Sequence, residues 1–521
     1  MFTRSRMHTP ERRRARAQAQ LSRRQFLGGL GLGAAGAVTL GTGAAHAQTQ
    51  NQPAMTPADR FGRMFPGLPP FIPADDRRRA ALIDMGKPGG IMDAGDNLAA
   101  GPVQLIIDPV LSAGNPNNPT HTAGTTFFGQ FLDHDITFDT TSPLGIPTTP
   151  ENSPNGRTPA LDLDSLYGGG PVADPELYQS DRLRLRIESG GLFEDVPRMG
   201  NGMAVIADPR NDENAIISGL QAAFILFHNT VVQQLQDDGF SGNVFQEARR
   251  IVTWHYQWII VHEFLPLFIG SPLVQNILTN GRQFYRPEPG PAFMPIEFQI
   301  GYRFGHSMIR PSYRLNLAGD NGSAFFGMIF DPAGQGQPDP VDLRGGIRAP
   351  RRFVGWQTFF DFGDGEVRPN KLIDRVLSTP LFQLPLQTLP DGNPPTSLAT
   401  RNLLRHLTWG VPAGQRIAQV MNNPMLHLQE IAHYGVALEN QTPLWFYMLV
   451  EAEQLAGGLT LGPTGGRIVG EVFIGLLELD PSSYLSADPG WQPTLPSQVP
   501  GDFRMTDLLR FAGVDPASRG Q

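Results

Sequence analysis

Helical periodicity constrains this chain more than any other feature of its sequence. Apolar residues recur at three- and four-residue steps in six segments, whereas the alternation typical of strands is poor throughout. Stretches rich in Pro, Gly, Thr and Asn separate these segments, and the 521 residues include 59 Gly and 48 Pro. The pattern predicts a mainly α fold with long Pro/Gly-rich loops and little β structure. The six segments are Ala215–Leu235, Asn243–Ile269, Ile296–Ser307, Gly414–Asn422, Pro443–Leu455 and Gly465–Leu479.

The loops do not divide the chain into separate domains. The clearest ones cover residues 139–158, 331–350, 388–396 and 482–500, and helical segments with apolar faces flank most of them. We therefore predict a single large domain over residues 91–521, preceded by an N-terminal extension over residues 48–90.

The first 47 residues have the composition of a targeting segment. Residues 1–26 carry eight arginines and one acidic residue, and the sequence from Ser22 to Leu27 opens an uncharged Gly/Ala/Leu run that reaches about Ala45. This resembles a twin-arginine signal, with Ala45–Ala47 as a small-x-small cleavage site. The run is too weakly hydrophobic for a permanent span. We expect export to the periplasm or the medium, with no stable membrane insertion after cleavage.

Charge and cysteine content exclude several classes of protein. Residues 48–521 hold 33 basic and 48 acidic side chains, a formal net charge of −15, which disfavours nucleic acid and anionic membranes as partners. The absence of cysteine excludes disulfides, thiolate-bound zinc, iron–sulfur clusters and c-type haem attachment. Zinc-peptidase and nucleotide-binding motifs are also missing from the sequence.

Two histidines have unusual neighbours. His134 shares a helical face with Gln130, among several phenylalanines, and a buried polar cluster of this kind requires a local network or a ligand. His306 lies three residues after Arg303 and next to aromatic residues. An imidazole beside a cation suits an anionic cofactor whose metal binds the imidazole and whose carboxylates pair with the arginine.

Five segments together resemble the animal-type haem peroxidases, which include myeloperoxidase and are related to the cyclooxygenases. The first is the distal-helix signature, and the others follow in the family's chain order from about residue 90 to about residue 480. The resemblance implies that residues 91–521 form a single large helical haem-peroxidase domain that binds haem b. The segments are Phe128–Asp135, Ala207–Asn214, Glu247–Val252 with Gln257 and Glu263–Pro266, Tyr302–His306, and Leu398–Arg405.

The resemblance assigns three residues to the distal side of the haem. His134 matches the imidazole that takes a proton from hydrogen peroxide and returns it to the leaving oxygen. Arg210 matches the arginine that stabilises negative charge on that oxygen. Gln130 matches an amide associated with halide and water binding.

Further residues are assigned to cofactor binding. His306 resembles the proximal iron ligand, with Asn402 as the acceptor for its other ring N–H. Arg303 and Arg405 are suited to the two haem propionates. The resemblance also implies up to two ester bonds to haem methyl groups, through Asp133 and Glu213. No sulfonium link is expected, because Asn214 occupies the position of the linking methionine.

A calcium site follows from the same resemblance. The loop after the distal helix matches a family loop that supplies hydroxyl, carbonyl and carboxylate oxygens, the ligands that Ca²⁺ prefers. Asp164 stands where the family has a serine, which adds a negative charge. The expected ligands are Asp135, Thr158, Ala160, Asp162 and Asp164.

The implied function is a secreted peroxidase that reduces hydrogen peroxide and oxidises a halide, a pseudohalide or a phenolic donor. One alternative is a fatty-acid dioxygenase of the same superfamily, whose radical tyrosine lies three residues before the proximal histidine. Arg303 holds that position here, and Tyr302, one residue earlier, should point about 100° away on a helix. The other alternative is a non-catalytic haem- and calcium-binding protein. The sequence leaves the donor and the oligomeric state open.

Overall fold

Helices make up most of the regular structure. The computed structural model describes residues 57–521 except 140, 335–336, 338, 347–350 and 390–391, so the predicted signal segment lies outside the described residues. The mainly α prediction is confirmed. In chain order the α-helices are α1 Asp76–Gly86, α2 Gly101–Ile107, α3 Ala123–Ile136, α4 Asp164–Tyr167, α5 Ala215–Asp237, α6 Val244–Ile259, α7 Leu265–Ile269, α8 Ser271–Asn280, α9 Ile296–Gly301, α10 Leu398–Trp409, α11 Gly414–Val420, α12 Leu444–Ala456, α13 Pro463–Leu479, α14 Tyr484–Ala487 and α15 Met505–Phe511.

The strands of the described residues are short and form four two-stranded sheets. β1 pairs with β5 in parallel, whereas β2–β8, β3–β4 and β6–β7 are antiparallel. The β1–β5 and β2–β8 pairs join segments that are distant in the chain, whereas β3–β4 and β6–β7 join segments that are close in the chain. The strands are β1 Phe61–Gly62, β2 Asn117–Thr122, β3 Glu188–Ser189, β4 Glu194–Asp195, β5 Met294–Pro295, β6 Ser312–Arg314, β7 Phe326–Met328 and β8 Pro369–Lys371.

Helix α3 lies at the centre of the hydrophobic core. Phe127, Phe128, Phe131 and Leu132 are each at most 1% exposed. The Phe131 ring stacks on Phe224 of α5 at 4.6 Å between centroids. Apolar side chains on several sides of α3 therefore leave its polar residues on the remaining part of the surface, where the cavity described below lies.

The N-terminus of α3 is held by neighbouring backbone rather than by a capping side chain. Thr122, the N-cap residue, makes no side-chain capping bond. The N–H of Ala123 donates to Arg368 O, and the N–H of Gly124 donates to Phe359 O, both at 2.9 Å. Because these acceptors belong to the segment that leads into β8, the β2–β8 pair fixes where α3 begins.

Helix α5 is long and apolar enough to cross a membrane, by length and composition only. It has 23 residues, and 78% of its most apolar window is buried inside the protein. This burial is typical of a core helix.

Two predicted helical segments change their type along their length. Residues 243–269 contain a π-helical turn, Ile260–Phe264, directly before α7. Pro266 lacks the N–H that would continue the α-helical ladder, and a local widening accommodates it. The segment beginning at Ile296 is α-helical only to Gly301 and continues as a 3₁₀-helix, Tyr302–Met308.

Gly301, at this change of helix type, allows a close approach to α12. A Cβ atom at Gly301 would lie 2.8 Å from Met448 Sδ, so a larger residue would force the Met448 side chain to move. Helix α10, whose residues 399–409 are all buried, was not among the periodic segments. Its buried residues include Arg401, Asn402 and Arg405, so apolar side chains alone do not mark the buried surface of this helix.

Candidate functional site

A cavity lies between α3, the Tyr302–Met308 helix and α10. Its empty space, including the part open to solvent, is about 1520 Å³. Both His134 and His306 line it, although 172 positions separate them in the chain. Gln130, Asp133, Arg210, Glu213, Arg303 and Arg405 line the same cavity, so the structure brings these sequence-predicted residues together; Asn402 reaches it through His306.

His134 is held by an amide. Its Nδ1 lies 2.7 Å from Oδ1 of Asn211, and the Nδ2 of Asn211 donates to Gln221 Oε1 at 2.8 Å. Since an amide oxygen only accepts, Nδ1 of His134 carries the hydrogen. Burial, together with the positive charge of Arg210, lowers the pKa of His134 to about 3. The imidazole is therefore neutral near pH 7, and its Nε2 is a free base.

Arg210 is positioned by a buried carboxylate. Asp208 caps the 3₁₀ turn Pro209–Asp212, accepting from the backbone N–H of Arg210 and from its Nε at 3.0 Å and its Nη2 at 2.8 Å. The same carboxylate accepts from Arg157 Nε at 2.8 Å. Against the cost of burial, these two guanidinium groups hold the pKa of Asp208 far below its usual range. Arg210 also donates to the backbone oxygen of His134 at 3.0 Å, which joins the turn to α3.

Gln130 and Glu213 form a second polar pair on the same side of the cavity. Gln130 Nε2 donates to Glu213 Oε2 at 3.1 Å, and Asn214 Nδ2 donates to Gln130 Oε1 at 3.3 Å. Burial raises the pKa of Glu213 to about 8, so this carboxyl is largely protonated at neutral pH. Burial also raises the pKa of Asp133, which accepts from Thr137 Oγ1 at 3.1 Å.

His306 meets Asn402 in the orientation opposite to the expected one. Asn402 Nδ2 lies 2.8 Å from His306 Nδ1, while Asn402 Oδ1 accepts from Arg303 Nη1 at 3.0 Å. Asn402 thus donates to the ring, whereas the resemblance implied that it accepts. Metal binding through Nε2 requires a hydrogen on Nδ1 and hence the amide oxygen at this contact. Burial lowers the pKa of His306 to about 3, so the ring is neutral.

Three arginines line the side of the cavity nearest α10. Among the described residues, no carboxylate lies within 4.0 Å of the Arg303 guanidinium, and burial together with the charge of Arg405 lowers the pKa of Arg303 to about 10. Arg405 pairs with Asp139 at 2.9 Å and donates to Ser142 O at 2.8 Å. Arg401 is the third. This positive group favours an anionic ligand.

The predicted calcium loop brings three carboxylates together behind the cavity. Ligand atoms of Asp135, Asp162 and Asp164 all lie within 4.8 Å of one another. Burial and the other two carboxylates raise the pKa of Asp135 to about 8. Thr158 donates its backbone N–H to Asp164 at 3.3 Å, and Arg157 pairs with Asp164 at 3.3 Å. Ala160 lies in the same loop, where its N–H donates to Thr158 O at 2.8 Å.

Tyr302 differs from the expectation that its side chain points away. It lines the cavity, and its hydroxyl donates to the backbone oxygen of Gly129 on α3 at 3.0 Å. A 3₁₀-helix turns about 120° per residue, so the helix type does not bring Tyr302 nearer to the face of Arg303; the cavity wall includes both side chains. The ring therefore connects the two helices that border the cavity.

Comparisons with known proteins agree with this arrangement. A sequence model described as animal haem peroxidase matches residues 141–325. Chorion peroxidase of Aedes aegypti is 23% identical over 377 residues, which cover 67% of this chain and 44% of that protein. The family model and the curated peroxidase relatives support a place for this chain in the animal-type haem peroxidase superfamily. It spans less than half the length of this curated relative.

Two solved structures share the fold. Peroxidase A of Dictyostelium discoideum superposes with a TM-score of 0.56 at 15% identity, covering 88% of this chain and 92% of that chain. A fatty acid alpha-dioxygenase of Arabidopsis thaliana also gives 0.56, at 16% identity, covering 82% and 72%. The superfamily fold thus includes both peroxidase and dioxygenase relatives.

The cavity of this peroxidase-superfamily chain fits a haem. Thr126 Oγ1 and Gln299 Oε1 line it and have no hydrogen-bond partner within the described residues. Aromatic and aliphatic side chains cover much of the remaining wall, as a flat macrocycle requires. His306 would hold the iron once the Asn402 amide presented its oxygen to Nδ1, and the arginines beside α10 would pair with the propionates. The apolar wall includes Phe264, Phe268, Phe304, Ile309, Ile329, Phe330, Leu381 and Leu384.

Sequence reasoning missed several residues that organise this site. Asp208 could have been found, because an Asp followed by Pro is a typical start of a helical turn, and the side chain then caps it. Asn211, Gln221 and Arg401 had no such local signal. Their contacts join segments that are distant in the chain, and only the packed structure reveals them.

Proposed function

We propose that this protein is a haem peroxidase that reduces hydrogen peroxide and oxidises a small donor. The observation that carries the proposal is the free Nε2 of a neutral His134 beside the fixed guanidinium of Arg210, in the cavity that His306 also lines. A protein that only stores haem has no need of a base and a cation opposite the metal ligand.

His306, Arg303 and Arg405 would hold the haem, which when bound supplies the metal that binds peroxide and takes up its oxidising equivalents. His134 would take the proton from one peroxide oxygen at Nε2 and return it to the other, departing oxygen. The low pKa of His134 makes its protonated form a strong acid, which favours this return. Arg210 would stabilise the negative charge on the departing oxygen, a contribution of about 3 kcal/mol to the barrier.

The finer features of the site belong to the same proposal. Gln130 would donate to water or a halide beside His134. Asp133 and Glu213 would be the residues that form esters with the haem. Extraction with acidic butanone tests this directly, since ester-linked haem stays with the denatured protein. Free extraction of all haem from the wild-type protein would contradict the ester assignment.

We further propose that Asp135, Asp162 and Asp164, with Thr158 and the Ala160 carbonyl, bind Ca²⁺. The mutual repulsion of these three carboxylates, two of them buried and Asp162 half-buried, supports a cation there. Because Asp135 directly follows His134, the ion would stabilise the distal helix. The export signal remains a prediction from residues 1–47, and the donor substrate is a halide, a pseudohalide or a phenol.

The test begins with the absorption spectrum of the purified, haem-supplied protein before and after peroxide. We expect His306→Ala to lose haem. Arg210→Ala should keep haem but react with peroxide roughly 100-fold more slowly, the equivalent of about 3 kcal/mol. His427→Ala, at an exposed position, and Arg184→Ala, at a half-buried one, lie away from the cavity and are matched controls. An unchanged rate for Arg210→Ala would show that its assigned role is wrong.

A fatty-acid dioxygenase is the second candidate, because the Tyr302 ring lines the cavity. Its hydroxyl, however, donates to Gly129 O and is not free to abstract hydrogen from a substrate. Oxygen uptake with palmitate, compared between wild type and Tyr302→Phe, separates the two functions. Uptake that disappears in the variant would favour the dioxygenase. Guaiacol or bromide oxidation that survives in Tyr302→Phe would favour the peroxidase.

A further inference from the structure

Three buried side chains from three different segments form one hydrogen-bonded row that ends at the distal imidazole. Gln221 Oε1 accepts from Asn211 Nδ2 at 2.8 Å, and Asn211 Oδ1 faces His134 Nδ1 at 2.7 Å. The three residues are 1%, 0% and 4% exposed, respectively, so water has little access to compete for these bonds. Neither Asn211 nor Gln221 belongs to the set of residues expected to perform the chemistry.

The direction of each bond follows from the next residue in the row. An asparagine side chain has one accepting and one donating end, and Gln221 presents its oxygen to Asn211. This engages the NH₂ group and leaves the Asn211 oxygen for the ring. If the Asn211 amide alone turned over, two oxygens would face each other at Gln221 and two N–H groups would face each other at His134, so buried polar groups would lose their hydrogen bonds.

The two residues that hold this row are anchored in rigid elements. Asn211 lies in the 3₁₀ turn Pro209–Asp212, and its N–H donates to Asp208 O at 3.1 Å. Gln221 lies on α5, whose N-terminus is capped by Asn214 through Ile216 N and Ile217 N. The turn that holds Arg210 therefore also holds the partner of His134.

We propose that Asn211, oriented by Gln221, is a positioning residue that selects the His134 tautomer with its hydrogen on Nδ1. This inference rests on the proposed function for its catalytic meaning, but the tautomer itself is a property of the protein without cofactor. With the hydrogen on Nδ1, the Nε2 lone pair is free to receive a proton. With the hydrogen on Nε2, the ring cannot act as a base toward the cavity, and a wrong tautomer severely impairs histidine bases in other enzymes.

The experiment measures the tautomer by long-range ¹H–¹⁵N correlation spectra of the cofactor-free protein labelled with ¹⁵N-histidine. The His134 signals are assigned by their loss in His134→Gln. Two buried histidines serve as internal references. His406 accepts from Trp445 N at Nε2 and so carries its hydrogen on Nδ1, whereas His228 Nε2 faces Leu183 O and so carries its hydrogen there.

We expect the spectrum of wild-type His134 to match that of His406, with the hydrogen on Nδ1. Asn211→Leu and Gln221→Leu should shift it toward a mixture of tautomers or toward the His228 pattern. Gln221→Glu keeps an accepting oxygen for Asn211, so His134 in this variant should retain the wild-type spectrum. Circular dichroism identifies any variant that fails to fold. If Asn211→Leu does not fold, the comparison of Gln221→Leu with Gln221→Glu tests the proposal. A His228 pattern in the wild type, or an unchanged pattern in both leucine variants, would overturn the proposal.

A second measurement separates this inference from the proposed function. In haem-loaded protein, Gln221→Leu should retain haem and react with peroxide about 10- to 100-fold more slowly, taking as a guide the range found when hydrogen-bond partners of metal-binding histidines are removed. Gln221→Glu should react at nearly the wild-type rate. If the tautomer changes while the reaction rate does not, the positioning role is wrong. If no form of the protein reacts with peroxide, the proposed function fails and the tautomer assignment still stands.

Discussion

The carboxylate of Asp208 offers the sharpest test of how the distal side is held. It is completely buried and accepts hydrogen bonds from two arginines, Arg157 and Arg210. Asp208→Asn removes its charge and leaves both guanidinium groups without their shared partner. Breaking a buried ion pair from one side costs about 3–5 kcal/mol, because the remaining charge stays buried. We expect a loss of that size in the free energy of unfolding at pH 7.

The pH dependence of this loss follows from the depressed pKa of Asp208. A group with a lowered folded-state pKa stabilises the protein above its unfolded pKa of about 3.9, and the stabilisation declines as pH falls toward the folded value. The difference between wild type and Asp208→Asn should therefore stay constant from pH 7 to about 5. Below about pH 4 it should shrink by about 1.4 kcal/mol per pH unit.

Urea denaturation followed by circular dichroism measures this difference. Asp181→Asn is the matched control, because Asp181 pairs with Arg184 at 2.8 Å on the surface. An exposed pair contributes about 1 kcal/mol or less. If Asp208→Asn destabilised the protein no more than Asp181→Asn, the buried carboxylate would not be the element that holds the distal arginine.

Three further predictions follow from other parts of the structure. Phe473→Ala should destabilise the protein by about 3–5 kcal/mol in urea denaturation, because this fully buried ring packs against Tyr302 and Phe298; a loss below 1 kcal/mol would contradict it. Millimolar Ca²⁺ should raise the unfolding temperature of wild type but not of Asp162→Asn, measured by differential scanning fluorimetry; equal shifts would contradict the calcium site. Burial lowers the pKa of His228 to about 4, so its contribution to the free energy of unfolding falls as the pH drops from 6.5 to 4. The difference in the free energy of unfolding between wild type and His228→Gln should therefore narrow by about 1.4 kcal/mol per pH unit over this range. A constant difference would contradict the assigned burial.

The candidate site was partly predictable from the sequence. His134, Arg210 and His306 lie in short motifs whose residue types and order resemble a known family, and the structure places all three around one cavity. The direction of the Asn402 contact and the orientation of Tyr302 were not predictable. Both depend on contacts between segments that are distant in the chain, Asn402 with His306 and Tyr302 with Gly129, and neither leaves a signal in local residue spacing.

Local sequence predicted several of the helices and the candidate residues for the chemistry, because backbone preferences and the spacing of apolar side chains act over a few residues. Tertiary packing alone decided that two imidazoles 172 positions apart border the same cavity. It also brought Asn211 and Gln221 into a row behind His134. The physical reason is that buried polar groups must find partners wherever the packed chain supplies them, and those partners come from segments that the sequence does not place side by side.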